Sequence, residues 1–252
     1  MKPGSVAIVG GGPGAADLIT VRGWDRLCQA DVVLTDHLGP VELLRRLPPS
    51  TVVIDVGKHP HGSGPTTRQE HINELLVEHA RAGRRVVRLK GGDPFVLGRG
   101  GEEVIACAEA GIPVEVVPGV SSAIAAPALA GIPVTHRGVS QEVTIVSGHV
   151  PPGHAESTVD WERLGGGQGT VVVLMGVMNR AAIADALLSG GRSALTPVAV
   201  VNAASTAAAA TWTGTLTDLS VSPPDVDGPA VLVIGEVAAY AAVLGSLDAD
   251  RR

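Results

Sequence analysis

The chain has 252 residues, 45% hydrophobic but only 2% aromatic, so Val, Ala, Leu and Ile must supply its core. Residues 1–137 carry equal numbers of basic and acidic side chains, and the net charge of −6 falls entirely on residues 138–252. That balance argues against a nucleic-acid binder, though the neutral first part can host an anionic ligand. Two cysteines, Cys28 and Cys107, form neither a disulfide framework nor a metal spacing.

Both cysteines sit in apolar helical patterns, and a core role is expected for each. No His/Cys/Asp cluster has ligand spacing, so no metal is expected. The first residues lack the apolar region of a signal peptide. The uncharged stretches 116–135 and 193–217 are broken by prolines, glycines or polar residues, so neither spans a membrane well. A soluble cytoplasmic protein is the expectation.

In chain order, apolar runs predict strands at 5–9, 31–35, 51–56, 84–89 and 113–117. Helical patterns separate them near 20–29, 40–46, 67–82 and 101–110. Such alternation implies right-handed βαβ units and a parallel sheet. After Pro118-Gly119 comes a small-residue helix at 121–130, then strands near 142–147, 170–174, 197–202, 208–215 and 230–234. One clear helix, 178–189, lies among them, and the short later spacings suggest hairpins in a mixed sheet. The Gly- and Pro-rich stretch 150–168 reads as a surface loop. The expected fold is α/β in two domains: 1–117 with a mostly parallel sheet, and 121–245 with a mixed sheet.

Special residues follow every strand of the first part. They are Gly10-Gly11-Gly12-Pro13-Gly14, Asp36-His37, Gly57-Lys58-His59, Lys90-Gly91-Gly92-Asp93 and Pro118-Gly119-Val120-Ser121-Ser122. A parallel sheet brings all its carboxyl ends to one edge, where open α/β folds bind ligands. The run from Arg88 to Glu103 is the densest, with five glycines and Pro94 in one turn before a helix. Glycine allows close backbone approach to a ligand, so this run reads as a device presenting backbone groups and the Asp93 carboxylate to something small.

One competing reading is a dinucleotide-dependent oxidoreductase. Gly10 to Ala15 satisfies a glycine fingerprint, with Asp36 at the end of the second strand. Pro13 and the delay of the helix to about Thr20 argue against it, and the fingerprint leaves the later clusters unexplained.

Together the motifs VAIVGGGPGAADLIT, ADVVLTDHL, VGK, RVVRLKGGDPFVLGRGGEE, VEVVPGVSSAIAAPALAGIPVTHRG, VSGH, VVLMGV and PAVLVIG resemble the tetrapyrrole methylases, within them most closely the uroporphyrinogen-III C-methyltransferases. The resemblance covers about residues 5–240 and implies a two-domain homodimer. It implies S-adenosyl-L-methionine bound between the domains, with S-adenosyl-L-homocysteine as product. Matched by motif, the cofactor contacts would be Pro13, Gly91, Gly92, Asp93, Val96, Ser121, Ser122, Met175, Ala203 and Ala230. Asp36 would act as base, and Lys58 as acid or as a grip on a substrate carboxylate. The reaction implied is methylation of uroporphyrinogen III at C2 and C7, giving precorrin-2 through precorrin-1 for cobalamin and sirohaem.

A substrate with eight carboxylates calls for cations at its entrance, since Arg grips carboxylates bidentately. Candidates are Arg22, Arg99, His136, Arg137 and His149, with His59 and His61 after Lys58 and Arg137 preferred among them. Departures from the family pattern include Thr35, Leu97, Ser121, Ala203 and a reordered segment after Lys58. The alternatives are a methyltransferase for a later precorrin, and a non-catalytic tetrapyrrole carrier that would not need cofactor contacts.

Overall fold

The computed structural model describes residues 4–36, 38–57, 68–226 and 228–244. The chain divides into two units, Met1–Ser122 and Ala123–Arg252. The first unit runs β1 (Ser5–Gly10), α1 (Val21–Cys28), β2 (Val32–Thr35), α2 (Val41–Leu44), β3 (Val52–Asp55), α3 (Gln69–Arg81), β4 (Arg85–Lys90), α4 (Gly100–Glu109) and β5 (Val114–Val117), and α5 (Ser122–Leu129) opens at its end. Its five strands are ordered β3-β2-β4-β1-β5, and every pairing is parallel.

Side chains alternate across this sheet with period two. Val6, Ile8, Val32, Leu34 and Val86 pack on one face with Ile72, Leu76 and Cys107 from α3 and α4. Val9, Val33, Val87 and Leu89 pack on the other with Leu27 of α1 and Leu43 of α2. The loop after β1 is long because α1 starts late: Thr20 caps it, its hydroxyl accepting from the Gly23 amide at 3.1 Å.

The strand order excludes the dinucleotide arrangement. In that fold the second strand pairs with the first, whereas here β4 lies between β1 and β2. The glycine loop after β1 therefore meets the loop after β4.

The second unit contains β6 (Val143–Ser147), α6 (Trp161–Gly166), β7 (Thr170–Leu174), α7 (Arg180–Ser189), β8 (Pro197–Asn202), β9 (Ala210–Thr215), α8 (Leu216–Val221), β10 (Ala230–Ile234) and α9 (Ala241–Leu244). Its sheet is mixed, in the order β6-β7-β10-β8-β9. β6 and β7 are parallel, while β10 runs antiparallel to both β7 and β8. One face packs with α6, α7 and α8; the other carries Ala123, Ala126 and Ile132.

Each expected strand is present, with ends moved by no more than two residues. Three expectations need correction. The stretch 150–168 is not all loop, since it contains α6. Asp160 caps that helix, accepting from the Arg163 amide at 3.0 Å, and Trp161 and Leu164 are buried one turn apart. The later half has more than one helix, because α8 follows β9 behind a capping box formed by Thr215 and Asp218. Cys28 is exposed at the end of α1, not in the core; Cys107 is fully buried, and burial pushes its thiol up to about 11.

Candidate active site

Three neighbouring strands, β4, β1 and β5, send their following loops to the same edge, and those loops are knitted together. The Gly11 amide donates to the Lys90 carbonyl at 2.7 Å. Gly12 and Gly92 exchange both backbone hydrogen bonds, at 3.2 and 2.6 Å. The loop after β5 presses in from the other side: a Cβ on Gly119 would stand 2.3 Å from the Gly92 carbonyl oxygen. That close approach requires glycine. Gly92 itself has φ +63°, a conformation L side chains rarely adopt.

Asp93 closes the arrangement. One carboxylate oxygen accepts from the Phe95 amide at 2.8 Å and the other from the Gly119 amide at 3.0 Å. The side chain thus ties two loops together rather than pointing free at a ligand, as the sequence alone had suggested. Pro13, Val96, Ser121 and Ser122, which belong to these loops, are partly exposed.

Asp36 follows β2 at the same edge of the sheet. One oxygen accepts from the Leu38 amide at 3.0 Å, and the other from Nη2 of Arg88 at 3.1 Å. The carboxylate is about one-fifth exposed, accessible yet fixed. Beneath it lies a buried charged cluster. Glu103 of α4, with no exposed surface, accepts on Oε1 from Nε of Arg88 at 3.1 Å and from Nζ of Lys90 at 2.9 Å. Burial holds the Lys90 ammonium below its usual range. Lys58, His59 and His61 lie outside the described residues.

The second sheet gathers another set. Because β10 is antiparallel to β7 and β8, the ends of β7 and β8 and the start of β10 share one edge. Met175 follows β7, Ala203 follows β8, and Ala230 opens β10. His149, just after β6, is exposed at that edge too. Met175 and Ala203 have φ of 58° and 45°, left-handed values that are uncommon outside glycine. Such conformations persist where surrounding structure holds them, and they cluster at functional sites. Met175 is half exposed, and the Oδ1 atom of Asn202, beside Ala203, is buried without a partner.

Other expected residues are placed differently. His136 and Arg137 lie in the turn leading into β6, so they stand at the opposite edge of the second sheet from Met175 and Ala203. The His136 ring stacks on Tyr240 at 4.8 Å between centroids. Arg99 is held bidentately by Glu102, at 2.8 and 2.7 Å, which raises its affinity for its proton. Arg22 is largely exposed, 4.0 Å from Glu115. A cavity of about 340 Å³ lies at the amino ends of β1, β4 and β5 instead. Its cations, Arg26 and Arg85, are already paired with Glu115 and Asp31, so it offers an anion no free charge. Among the described residues no group of His, Cys, Asp and Glu is arranged for a metal ion, and no helix is long and apolar enough to cross a membrane.

A family model for the tetrapyrrole (corrin/porphyrin) methylases matches residues 5–220. The chain belongs to this family. Siroheme synthase 2 of Yersinia pestis is 47% identical over 93% of the chain, which spans about half the length of that relative. The crystal structure of uroporphyrin-III C-methyl transferase from Thermus thermophilus, complexed with S-adenyl homocysteine, is 40% identical, with a TM-score of 0.80; the match covers 94% of this chain and 99% of that one. A cobalt precorrin-4 methyltransferase is 26% identical, with a TM-score of 0.81, over 93% of this chain and 95% of that one. The fold is thus shared across methylases of different specificity.

Within this methylase chain, the sequence placed Lys90 at the edge but gave neither its buried cluster with Arg88 and Glu103 nor Asn202. A signal existed for Arg88 and Lys90. In β4, Arg88 and Lys90 alternate with Val87 and Leu89, so the pleat places both charges on the face covered by α3 and α4. The pairing with Glu103 depends on how α4 packs, which spacing alone does not give.

Proposed function

We propose that the chain transfers methyl groups from S-adenosyl-L-methionine to uroporphyrinogen III, at C2 and then C7, yielding precorrin-2 by way of precorrin-1. The observation that carries the reading is the likeness to the Thermus thermophilus uroporphyrin-III C-methyl transferase over almost its entire length. The more distant precorrin-4 enzyme has a TM-score of 0.81 against 0.80, so sequence identity rather than fold favours this substrate. A homodimer in the cytoplasm is part of the proposal.

Bound S-adenosyl-L-methionine supplies an electrophilic methyl on a sulfonium. The electron pair of a pyrrole β-carbon, at C2 or C7, forms the new C–C bond, the C–S pair returns to sulfur, and S-adenosyl-L-homocysteine leaves. The alkylated pyrrole then loses one meso proton, which restores neutrality. The protein's work is positioning, exclusion of water and removal of that proton.

The residues present fit the cofactor. Gly91, Gly92 and Val96 offer a backbone edge fixed by Asp93, with Pro13, Ser121 and Ser122 beside it. Met175, Ala203 and Ala230 offer a second edge, where the left-handed backbone and the unpartnered Asn202 oxygen suit a polar ligand. Asp36 is the proposed base, because it is accessible and its geometry is fixed from two sides. Lys58 is proposed as acid or as a carboxylate grip, and Arg22, Arg99, His136, Arg137 and His149 as substrate contacts.

Transfer of an isotopically labelled methyl group tests the reading. Label recovered in the tetrapyrrole after anaerobic incubation supports it. Cofactor binding with no label in the tetrapyrrole would leave the chain a binder of both ligands or an enzyme for another precorrin.

A further inference from the structure

Three buried charged side chains lie under Asp36 with no assigned part in the reaction. Arg88, Lys90 and Glu103 are 3%, 5% and 0% exposed. Burying such groups costs several kcal/mol each unless they are paired, and a buried ion pair is often no more stabilising than apolar side chains of the same volume. Anchoring α4 over β4 therefore does not require them.

Their connections run in one direction. Oε1 of Glu103 accepts from Lys90, from Arg88 and, at 3.3 Å, from Nε2 of Gln69 on α3. Its other oxygen is buried without a partner. The Arg88 guanidinium is held on its remaining sides by the carbonyls of Leu89, at 2.6 Å, and Leu34, at 3.5 Å. Only its Nη2 reaches outward, to Asp36 at 3.1 Å. With the Leu38 amide donating to the other Asp36 oxygen at 3.0 Å, neither carboxylate oxygen is free to swing.

We infer that Glu103 is a positioning residue for Asp36, acting through Arg88: it fixes the guanidinium that fixes the carboxylate. Two anions and two cations balance locally, so loss of the Glu103 charge leaves Arg88 and Lys90 to repel one another beneath Asp36. This inference rests on the proposed role of Asp36, and its test separates the two.

The experiment is a double-mutant cycle with Glu103→Gln and Asp36→Asn, read in both turnover and thermal unfolding. Glu103→Gln keeps the side-chain size and should lower kcat about tenfold to a hundredfold through misplacement of Asp36, with KM for S-adenosyl-L-methionine changed less than about twofold. In the Asp36→Asn background the same substitution should change kcat by less than about twofold, because linked sites are non-additive. Arg88→Lys, which keeps the charge but loses the fork, should behave as Glu103→Gln does and stands in if that variant does not fold. Equal fold-losses in both backgrounds, in turnover and in unfolding, would overturn the inference. A wild-type protein that transfers no methyl group overturns the functional reading instead, and the unfolding cycle alone then decides the link.

Discussion

Asp93 uses both carboxylate oxygens on backbone amides, one in its own loop and one 26 residues away at Gly119. Its part in the proposed cofactor site is thus to shape two loops. Asp93→Ala should weaken S-adenosyl-L-methionine binding by about tenfold or more, as loss of hydrogen bonds to a charged group is worth about 1.5–3 kcal/mol each. Calorimetry reads this directly, and unchanged affinity would mean that the loops hold without the clamp. Nothing in the sequence names Gly119 as the partner, since the contact is made by loops after different strands. At the far edge, the Arg85 guanidinium holds Asp31 at about 2, below its ordinary 3.8. A lowered folded-state value means the pair's stabilisation is present above about pH 4 and lost as pH falls toward 2. Asp31→Asn should therefore lower Tm at pH 7 by about 1–3 °C, a small effect because the pair is exposed. Scans at successively lower pH should show the difference vanish near pH 2; a constant offset would assign it to something other than charge.

Among the elements, the strands were legible because Val- and Ile-rich runs bounded by glycine, proline or aspartate have few other readings. The helices α6 and α8 were not. Each is six residues long, and α6 ends in Gly165-Gly166, which reads as loop chemistry. The structure supplies the reason for that glycine: a Cβ on Gly165 would lie 2.6 Å from the Gly190 Cα and from the Leu187 carbonyl oxygen. The helix is allowed to touch the end of α7 because it lacks a side chain there. Gly165→Ala should destabilise the second unit by about 1–3 kcal/mol through overpacking, despite alanine's better helix propensity. Denaturant unfolding checks the sign, and a stabilised variant would show that the helices separate freely. The meeting of loops at the first sheet edge was legible for the same reason as the strands, since the special residues directly follow them. The charged cluster between β4 and α4 and the left-handed Met175 and Ala203 were not, because packing sets the first and those residue types carry no backbone signature.

At the scale of the whole molecule, each unit offers one sheet edge lined with backbone groups, and the first adds a carboxylate held from below. The mostly Arg basic complement and the lack of net charge in residues 1–137 are compatible with a polyanionic substrate. The family's shared fold does not distinguish between tetrapyrroles, so specificity must come from the side chains it carries. The most direct test of the account is anaerobic incubation of the purified protein with S-adenosyl-L-methionine and uroporphyrinogen III, followed by mass analysis of the tetrapyrrole. The account predicts the gain of two methyl groups, passing through a singly methylated species. A tetrapyrrole recovered unmethylated by a folded protein that binds the cofactor would contradict it.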